Sequence, residues 1–376
     1  MPGSIFDDLF VLELANNHWG DLDRGLKIIR DFAQVVSSNG VRASIKLQFR
    51  DVDSFIHRDF RHRDDLRYVK KTIDTHLSWV ELRLLVEAIR DCGMLTMVTP
   101  FDEDSVDKAV EFGVDIIKVA SSDIRDKILL NRIAASGKPV IASSGGASLD
   151  HVDSLVEFFA VRGVPFALNH CVSLYPSEDN EVELNQIDLL RARYPNIVIG
   201  LSTHEHRDWH DSVQIAYAKG ARTFERHIDI DYQGVPVSPY CTRPEQADVW
   251  FKAFLKAQEM CGGSAAKKRV PSTREVTYLD ALVRGIYLRR ALPAGHVVTE
   301  ADVYLAVPLQ AGQLSGREFL GNEVLTRSLV ADAPVRLDAV SASYSGDAVL
   351  TAMIAERGLD TDAEALQPVP IRLAVG

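Results

Sequence analysis

Residues 115–121 read Asp-Ile-Ile-Lys-Val-Ala-Ser, and a segment with helical spacing follows this short, mostly apolar run at once. A run of this length is typical of a parallel strand that is covered on both faces. Seven similar runs begin at residues 9, 43, 94, 138, 165, 196 and 221. Amphipathic segments separate them, and several begin at a capping residue and end at glycine, as at Asp21 and Gly40.

Eight strand–helix repeats over roughly 255 residues predict an α/β fold, a (β/α)8 TIM barrel. A doubly wound open sheet also alternates strands and helices. No Gly-x-Gly-x-x-Gly follows the first strand, however, and the usual strand count of that fold is lower. The barrel is therefore the preferred prediction.

The composition is that of a globular protein, with 46% apolar and 25% charged residues among 376. The net charge of −11 argues against nucleic-acid binding, which needs a basic face. The four cysteines form no Cys-x-x-Cys pair, which indicates reduced thiols in a cytoplasmic protein. The first residues carry no basic segment and no long apolar run, so we expect no signal peptide and no membrane span.

The pattern changes after the eighth repeat, which predicts four segments. Residues 1–263 form the catalytic barrel, and the small, basic, Pro-containing residues 264–276 form a linker. Short β-like runs separated by Pro-Ala-Gly and Gln-Ala-Gly turns predict a small β-rich domain at 277–340. Residues 341–376 form a tail with one helix-like stretch.

Two lysines lie inside apolar strands, Lys46 in Ile-Lys-Leu-Gln-Phe and Lys118 in Ile-Ile-Lys-Val-Ala. A buried ammonium is costly unless an anion pairs with it. One interpretation is that each lysine meets a barrel carboxylate such as Glu13 or Glu225. The favoured one is an anion site, because the active site of such a barrel lies at the carboxyl ends of its strands. Hydroxyls end neighbouring strands there, at Thr99, Ser121 and Ser202.

Two histidines come from adjacent strands at the same end, His204 from the seventh and His227 from the eighth. Neutral imidazole is the commonest metal ligand in proteins. Two imidazoles leave several coordination positions open, which suits an exchangeable divalent ion that acts as a Lewis acid. His206 lies beyond the predicted end of the strand and is left out of the set.

Together these segments resemble the sialic acid synthase family. The motifs that carry the resemblance are Glu13-Leu-Ala-Asn-Asn-His-Trp-Gly-Asp21, Ile45-Lys-Leu-Gln-Phe49, Thr99-Pro-Phe-Asp102, Ile117-Lys-Val-Ala-Ser-Ser-Asp123, His170-Cys-Val-Ser-Leu-Tyr-Pro176, Gly200-Leu-Ser-Thr-His204 and Glu225-Arg-His227. Their order and spacing follow that family along the whole barrel. The segment at 277–340 is similar to its C-terminal antifreeze-like (SAF, β-clip) domain.

The resemblance implies an enzyme that condenses phosphoenolpyruvate with a sugar aldehyde to a 2-keto-3-deoxy sugar acid and phosphate. Its catalytic residues would be Glu13, Lys46 and Lys118. It further implies a Mn²⁺ or Mg²⁺ ion on His204 and His227, and a homodimer in which the small domain caps the partner's active site. The substrate-binding positions that it implies are Gln48, Thr99, Ser121, Ser173, Tyr175 and Ser202.

The departures from the family fall mostly on the side of the sugar acceptor. Val307 occupies the place of an arginine that reaches the acceptor, Thr203 replaces an acidic residue, and the loop at 234–242 differs. Ser173 stands where the family has asparagine, a mild change because a hydroxyl still donates a hydrogen bond. The segment at 50–67 is rich in Arg and His. Either it supplies the missing acceptor contact through Arg61 or Arg63, or it is a solvated charged loop.

Three other interpretations stay open. A metal-dependent hydrolase on the same barrel also uses His-x-His, although normally on the first strand. A class I aldolase would use Lys118 as a Schiff base. A degenerate homologue would bind a sugar acid without catalysis, which the retained lysines, Glu13 and both histidines oppose.

Overall fold

Eight short apolar strands close into a parallel barrel in the computed structural model, which describes residues 3–263 and 266–359. Each strand pairs with the next, and the eighth pairs with the first. The predicted (β/α)8 barrel is thereby confirmed. The strands are β1 (Leu9–Ala15), β2 (Arg42–Phe49), β3 (Leu95–Pro100), β4 (Ile116–Val119), β5 (Val140–Ser143), β6 (Phe166–Cys171), β7 (Val198–Ser202) and β8 (Thr223–His227).

Helices surround the barrel at nearly the predicted positions. They are α1 (Leu22–Asn39), α2 (Val52–Phe55), α3 (Arg67–Asp74), α4 (Trp79–Asp91), α5 (Glu103–Glu111), α6 (Lys127–Ala135), α7 (Leu149–Ala160), α8 (Asn185–Arg193), α9 (Asp211–Ala218) and α10 (Pro244–Cys261). The short helices α2 and α3 were not predicted, because they have only four and eight residues and lie in a strongly charged segment. An i,i+4 ion pair between Lys70 and Asp74 supports α3.

The two faces of each strand have different environments. Phe10 points outward and packs edge-on against Trp250 and Phe251 of α10, with ring centroids 4.7 Å apart in both pairs. Inward-facing apolar residues fill the amino-terminal half of the barrel, among them Val11 and Met97, both fully buried. Because side chains alternate along a strand, the next inward positions lie in the carboxyl-terminal half, where the charged residues gather.

The described residues fall into two units, divided between Gly262 and Gly263. The second unit contains α11 (Thr273–Asp280), β9 (Gly285–Leu288), β10 (Val303–Ala306), β11 (Val324–Leu325), β12 (Val340–Ser341) and α12 (Ala348–Glu356). Its strands form two antiparallel pairs, β9 with β10 and β11 with β12. A separate apolar core includes the fully buried Ile286 and Val335.

The structure differs from the predicted domain boundaries in two places. Residues 273–276 belong to α11 rather than to a linker, because the Ser272 hydroxyl caps this helix by accepting from the Glu275 N–H. The predicted tail begins inside the second unit, since Ser341 pairs with Val324 and Ile354 is fully buried in the core. Residues 360–376 of that tail lie outside the described residues. Within the described part, no helix is both long and apolar enough to cross a membrane.

Candidate active site

Four charged side chains meet in the carboxyl-terminal half of the barrel: Glu13, Lys46, Lys118 and Glu225. All four are buried, and Glu13 lies opposite Lys46 in the strand register. Lys46 forms an ion pair with Glu13, and its Nζ lies 2.8 Å from Glu225 Oε1. Lys118 Nζ lies 3.3 Å from Glu225 Oε2 and donates to the Ser143 hydroxyl at 2.7 Å. Both lysines thus meet a barrel carboxylate, as the first interpretation predicted.

The pKa shifts follow from this crowding. Burial lowers the pKa of the Lys46 ammonium to about 7, although the Glu225 carboxylate acts in the opposite direction. Burial raises the pKa of Glu225, but the charges of Lys118 and Lys46 outweigh it and hold that pKa below its ordinary value. Glu225 therefore stays ionised and shares its charge between two ammonium groups. An anionic ligand would compete with Glu225 for those groups.

The three predicted hydroxyls, of Thr99, Ser121 and Ser202, differ in their hydrogen-bond partners. Ser202 Oγ donates to Glu225 Oε1 at 3.2 Å, and the Ser121 hydroxyl accepts from the Gly145 N–H at 3.1 Å. A Cβ on Gly145 would collide with the Ser173 hydroxyl and come within 2.8 Å of Ser121 Oγ. The Thr99 hydroxyl is buried and has no hydrogen-bond partner among the described residues. A buried orphan hydroxyl indicates a partner that comes from outside the protein.

The two predicted metal-ligating histidines lie side by side, with the ring centroids of His204 and His227 5.5 Å apart. Burial lowers the pKa of His204 to about 4 and that of His227 well below its ordinary value, so both rings are neutral. His204 Nδ1 lies 2.9 Å from the Val172 carbonyl oxygen. That oxygen only accepts, so Nδ1 carries the proton and the Nε2 lone pair is available.

A pair of imidazoles is the donor set that the described residues offer, since no group of three His, Cys, Asp or Glu side chains among them has metal-binding geometry. Neutral, adjacent imidazoles fit an exchangeable divalent ion whose other positions go to water and substrate. Tyr175 and Tyr240 cover this pair. The Tyr175 ring centroid lies 4.0 Å from that of His204, and the Tyr240 centroid lies 5.2 Å from that of His227.

A buried ion pair holds the ends of β7 and β8 together. Arg226 Nη1 lies 2.5 Å from Glu205 Oε1, and both side chains are buried. Arg226 also donates to the Glu205 backbone carbonyl and to the Thr242 hydroxyl. Glu205 follows His204 and Arg226 precedes His227, so the ion pair ties together the two chain segments that carry the candidate metal ligands. Half-buried His206, one residue further on, has an Nδ1 atom without a partner among the described residues.

Gln48 lies two residues beyond Lys46 on β2, and its Nε2 donates to Glu13 Oε1 at 3.3 Å. Arg50 Nη1 in turn donates to Gln48 Oε1 at 3.0 Å. The two arginines singled out from the sequence pair inside their own loop instead. Arg61 pairs with Asp53, and Arg63 with Asp65.

The sequence therefore indicated the two buried lysines, the hydroxyls and the two histidines of this candidate site, but it missed three neighbouring side chains. Glu225 was considered only as a structural partner, although its place on an inward strand position beside two lysines signalled more. Tyr240 lies in a loop that matched no motif. Arg50 follows Lys46 and Gln48 with the same parity along β2, a signal that was available in the sequence.

The comparisons with known proteins agree with this geometry. The model of the NeuB family matches residues 36–243. The chain belongs to the NeuB family. The human N-acetylneuraminate-9-phosphate synthase is 25% identical to it over 77% of this chain and 80% of the relative.

Two solved structures resemble this NeuB-family chain. One is a spore coat polysaccharide biosynthesis protein E from Chromobacterium violaceum, with 36% identity, a TM-score of 0.85, and coverage of 89% of this chain and 100% of that one. The other is an N-acetylneuraminic acid (sialic acid) synthetase from Leptospira borgpetersenii, with 27% identity, a TM-score of 0.64, and coverage of 73% and 91%. The predicted resemblance to sialic acid synthases, and the prediction of an enzyme of this type, are confirmed.

Proposed function

We propose that this protein condenses phosphoenolpyruvate with a sugar aldehyde, giving a 2-keto-3-deoxy sugar acid and phosphate. The observation that carries the proposal is the cluster of Lys46, Lys118 and Glu225, which lies in the barrel of a NeuB-family chain together with the His204–His227 pair. Candidate anion-binding and metal-binding groups thus lie at the carboxyl ends of the strands of one barrel, as the reaction of an anionic enol with an aldehyde requires.

Phosphoenolpyruvate carries a phosphate and a carboxylate, and the two lysines neutralise them. Charge-assisted hydrogen bonds from ammonium groups to phosphate oxygens are roughly twice as strong as neutral ones. The hydroxyls of Thr99, Ser121 and Ser173 complete the binding of the anion. The unsatisfied Thr99 hydroxyl supports this role, because a phosphate oxygen would give it the partner it lacks.

His204 and His227 would hold a divalent ion, Mn²⁺ or Mg²⁺, in the acceptor half of the cavity. Bound there, the ion supplies a Lewis acid that polarises the aldehyde oxygen. The two neutral imidazoles add no charge of their own at the ion position. The Tyr175 ring, which lies against His204, limits the access of water to that position. The barrel holds the reacting carbons close together, which lowers the entropic part of the barrier.

The contacts of Glu13 with Lys46 and Gln48 support a role for this carboxylate in proton transfer. The enol carbon C3 forms a bond to the aldehyde carbon, and the aldehyde oxygen becomes a hydroxyl. Water adds to C2, which has lost electron density, and phosphate leaves as the C2 ketone forms. Glu13 takes the proton of that water or delivers the proton of the new hydroxyl.

We further propose that the second unit is an antifreeze-like domain and that the protein acts as a homodimer. In that dimer the second unit of each protomer caps the partner's active site. Val307, at the position of the family's acceptor-binding arginine, is 60% exposed and follows β10. Sedimentation of the active enzyme tests the dimer. A fully active monomer would contradict it.

Release of phosphate from phosphoenolpyruvate tests the proposed reaction. The assay uses a panel of amino-sugar and simple aldoses, with Mn²⁺ or Mg²⁺ and again with a chelator. We expect phosphate only when both an aldose and a divalent ion are present. If no phosphate is released with any aldose in the presence of metal, the proposed reaction is refuted. Activity that resists the chelator would contradict the role of the two histidines.

A further inference from the structure

The buried ion pair of Glu205 and Arg226 lies next to both candidate metal ligands, and the proposed reaction gives it no part. Its side chains are 2% and 1% exposed. The Arg226 guanidinium lies 5.9 Å from the centroid of the Trp250 ring in α10, so the pair lies on the helix-facing side of the strand ends that carry His204 and His227. A buried ion pair is weak evidence for stability, because the cost of desolvation offsets the attraction. Its position beside both histidines points to another role.

The backbone pairing between β7 and β8 ends before it reaches either histidine. Ser202 opposite Glu225 is the last pair in the register, and one further bond runs from the Thr203 N–H to the Glu225 carbonyl, at 3.1 Å. Both histidines follow that bond in their own segments. The ladder itself therefore does not set how far apart their rings lie.

Beyond the ladder, each histidine is bonded to a different segment. The His204 carbonyl accepts from the Ser177 N–H at 3.2 Å, in the segment that follows β6. The His227 carbonyl accepts from the Thr242 N–H at 2.7 Å, in the loop at 234–242 that departs from the family. These backbone bonds hold the two histidines to separate parts of the rim, so the link between them comes from side chains.

Arg226 provides that link through all three of its side-chain nitrogens. Nη1 lies 2.5 Å from Glu205 Oε1, and Nη2 donates to the Glu205 carbonyl at 2.6 Å. Nε donates to the Thr242 hydroxyl at 3.0 Å, which also accepts from the Trp209 indole N–H at 3.1 Å. A planar guanidinium fixes the directions of its donors. One side chain thus joins the ends of β7 and β8 and the loop at 234–242.

The Glu205 carboxylate is held on its other side as well. The Ser212 hydroxyl, at the start of α9, donates to Oε1, and the Thr203 hydroxyl donates to Oε2. Thr203 stands where the family has an acidic residue. A carboxylate is therefore retained next to His204, although it comes from the residue after the histidine and not from the residue before it.

We propose that Glu205 and Arg226 are positioning residues for the divalent ion, because their ion pair sets the separation at which His204 and His227 bind one ion together. This inference rests on the proposed function, in which those histidines hold the ion. The two ring centroids lie 5.5 Å apart. A bond from a metal to an imidazole nitrogen is about 2 Å long, so the two ligating nitrogens have to come within about 4 Å of each other. The ladder leaves that separation open, and the ion pair closes it.

The pair acts through the backbone and not by touching the rings. His204 Nδ1 is already bonded to the Val172 carbonyl oxygen, at 2.9 Å. Loss of the ion pair therefore leaves that ring bond in place and changes the relative position of the two strand ends. Groups behind a metal ligand typically contribute ten- to hundredfold to metal affinity.

Calorimetric titration of Mn²⁺ tests the proposal, because it needs neither substrate nor turnover. Arg226→Lys keeps the positive charge but loses the planar fork, and Glu205→Gln keeps the shape of the side chain without its charge. We expect each variant to bind Mn²⁺ roughly ten- to hundredfold more weakly than the wild type. The double variant should bind it no more weakly than the weaker single variant, since one shared interaction is lost only once. Additive losses, or wild-type affinity in either folded single variant, would overturn the proposal.

Glu318→Gln is the matched control. Glu318 forms a buried ion pair with Arg357 in the second unit, with side chains 4% and 5% exposed, so this change also removes the charge of a buried, paired carboxylate. It should lower the temperature of unfolding but leave the Mn²⁺ affinity unchanged. Equal weakening of Mn²⁺ binding by Glu205→Gln and Glu318→Gln would mean that affinity merely follows stability, and the proposal would fail. If Glu205→Gln does not fold, Arg226→Lys decides the question.

The same measurements separate this inference from the proposed reaction. If the wild type binds no Mn²⁺, the inference and the role of the two histidines are both refuted. If it binds Mn²⁺ and the variants bind it more weakly, the inference stands even when no aldose yields phosphate. In an active enzyme at saturating Mn²⁺, Arg226→Lys should keep the wild-type KM for phosphoenolpyruvate, since the pair contacts none of the residues proposed to bind it. A changed KM with an unchanged Mn²⁺ affinity would contradict the assignment.

Discussion

Glu225 supplies the counter-charge for two buried ammonium groups, and Glu225→Gln removes that charge while keeping the shape of the side chain. Lys46 retains its ion pair with Glu13, but Lys118 retains only the Ser143 hydroxyl, 2.7 Å from its Nζ. Removal of one partner from a buried ion pair costs about 3–5 kcal/mol. Because glutamine still accepts a hydrogen bond, we expect the free energy of unfolding of the barrel to fall by about 3 kcal/mol, at the lower end of that range.

Tryptophan fluorescence during urea unfolding measures this loss. The four tryptophans, at positions 19, 79, 209 and 250, all lie in the barrel unit, so the signal follows that unit alone. Glu111→Gln is the matched control, since Glu111 pairs with Arg83 and Lys108 on the surface. Its loss should stay within about 0.5 kcal/mol. Equal, small losses for Glu225→Gln and Glu111→Gln would refute the reasoning that Glu225 compensates the lysines.

A second measurement on Glu225→Gln tests the competition between Glu225 and an anionic ligand. Inorganic phosphate should bind the variant more tightly than the wild type, because the lysines are then free of the Glu225 charge. A ligand at 100 times its Kd stabilises the folded state by about 2.7 kcal/mol, so phosphate should restore most of the lost stability. Weaker phosphate binding by the variant would contradict this view of the site.

Three further results are expected. Because burial lowers the pKa of Lys46 to about 7, its positive charge is present below that pH and is lost as the pH rises through it. The KM for phosphoenolpyruvate should therefore rise by up to about tenfold per pH unit above neutrality, and a flat profile would contradict the role of this lysine. His227→Ala should weaken Mn²⁺ binding in calorimetric titration by more than about tenfold, whereas His206→Ala should not, and an equal effect of both would reverse the choice of ligands. Gly145→Ala places a methyl group against the hydroxyls of Ser173 and Ser121, two proposed phosphoenolpyruvate contacts, and should raise the KM for phosphoenolpyruvate. Gly346→Ala, where a Cβ meets nothing within 4 Å, should not change it, and a normal KM in Gly145→Ala would remove those hydroxyls from the binding site.

The barrel was predictable because its signals are local. Each strand is a short apolar run, and several helices begin at a capping side chain, as when Asp21 accepts from the N–H groups of Asp23 and Arg24 at the start of α1. The helix α3 was not predicted, because its position depends on contacts that are not local in the sequence. Its eight residues carry few apolar side chains, and its place depends on a tight approach to Gly20, far away in the sequence. The boundary of the second unit was missed similarly, since Ile354 is buried by residues distant in sequence.

For the site, the sequence by itself determined which chemical groups reach the carboxyl ends of the strands. Alternation along a strand puts Lys46 and Gln48 on one face, and parallel strands bring their ends to one rim. Only the tertiary structure decided how the charges are shared. Glu225 lies 179 residues from Lys46 and 107 from Lys118, and no local pattern specifies that one carboxylate serves both. The same holds for Arg50, because whether a cation is paired depends on every carboxylate that the folded chain brings near it.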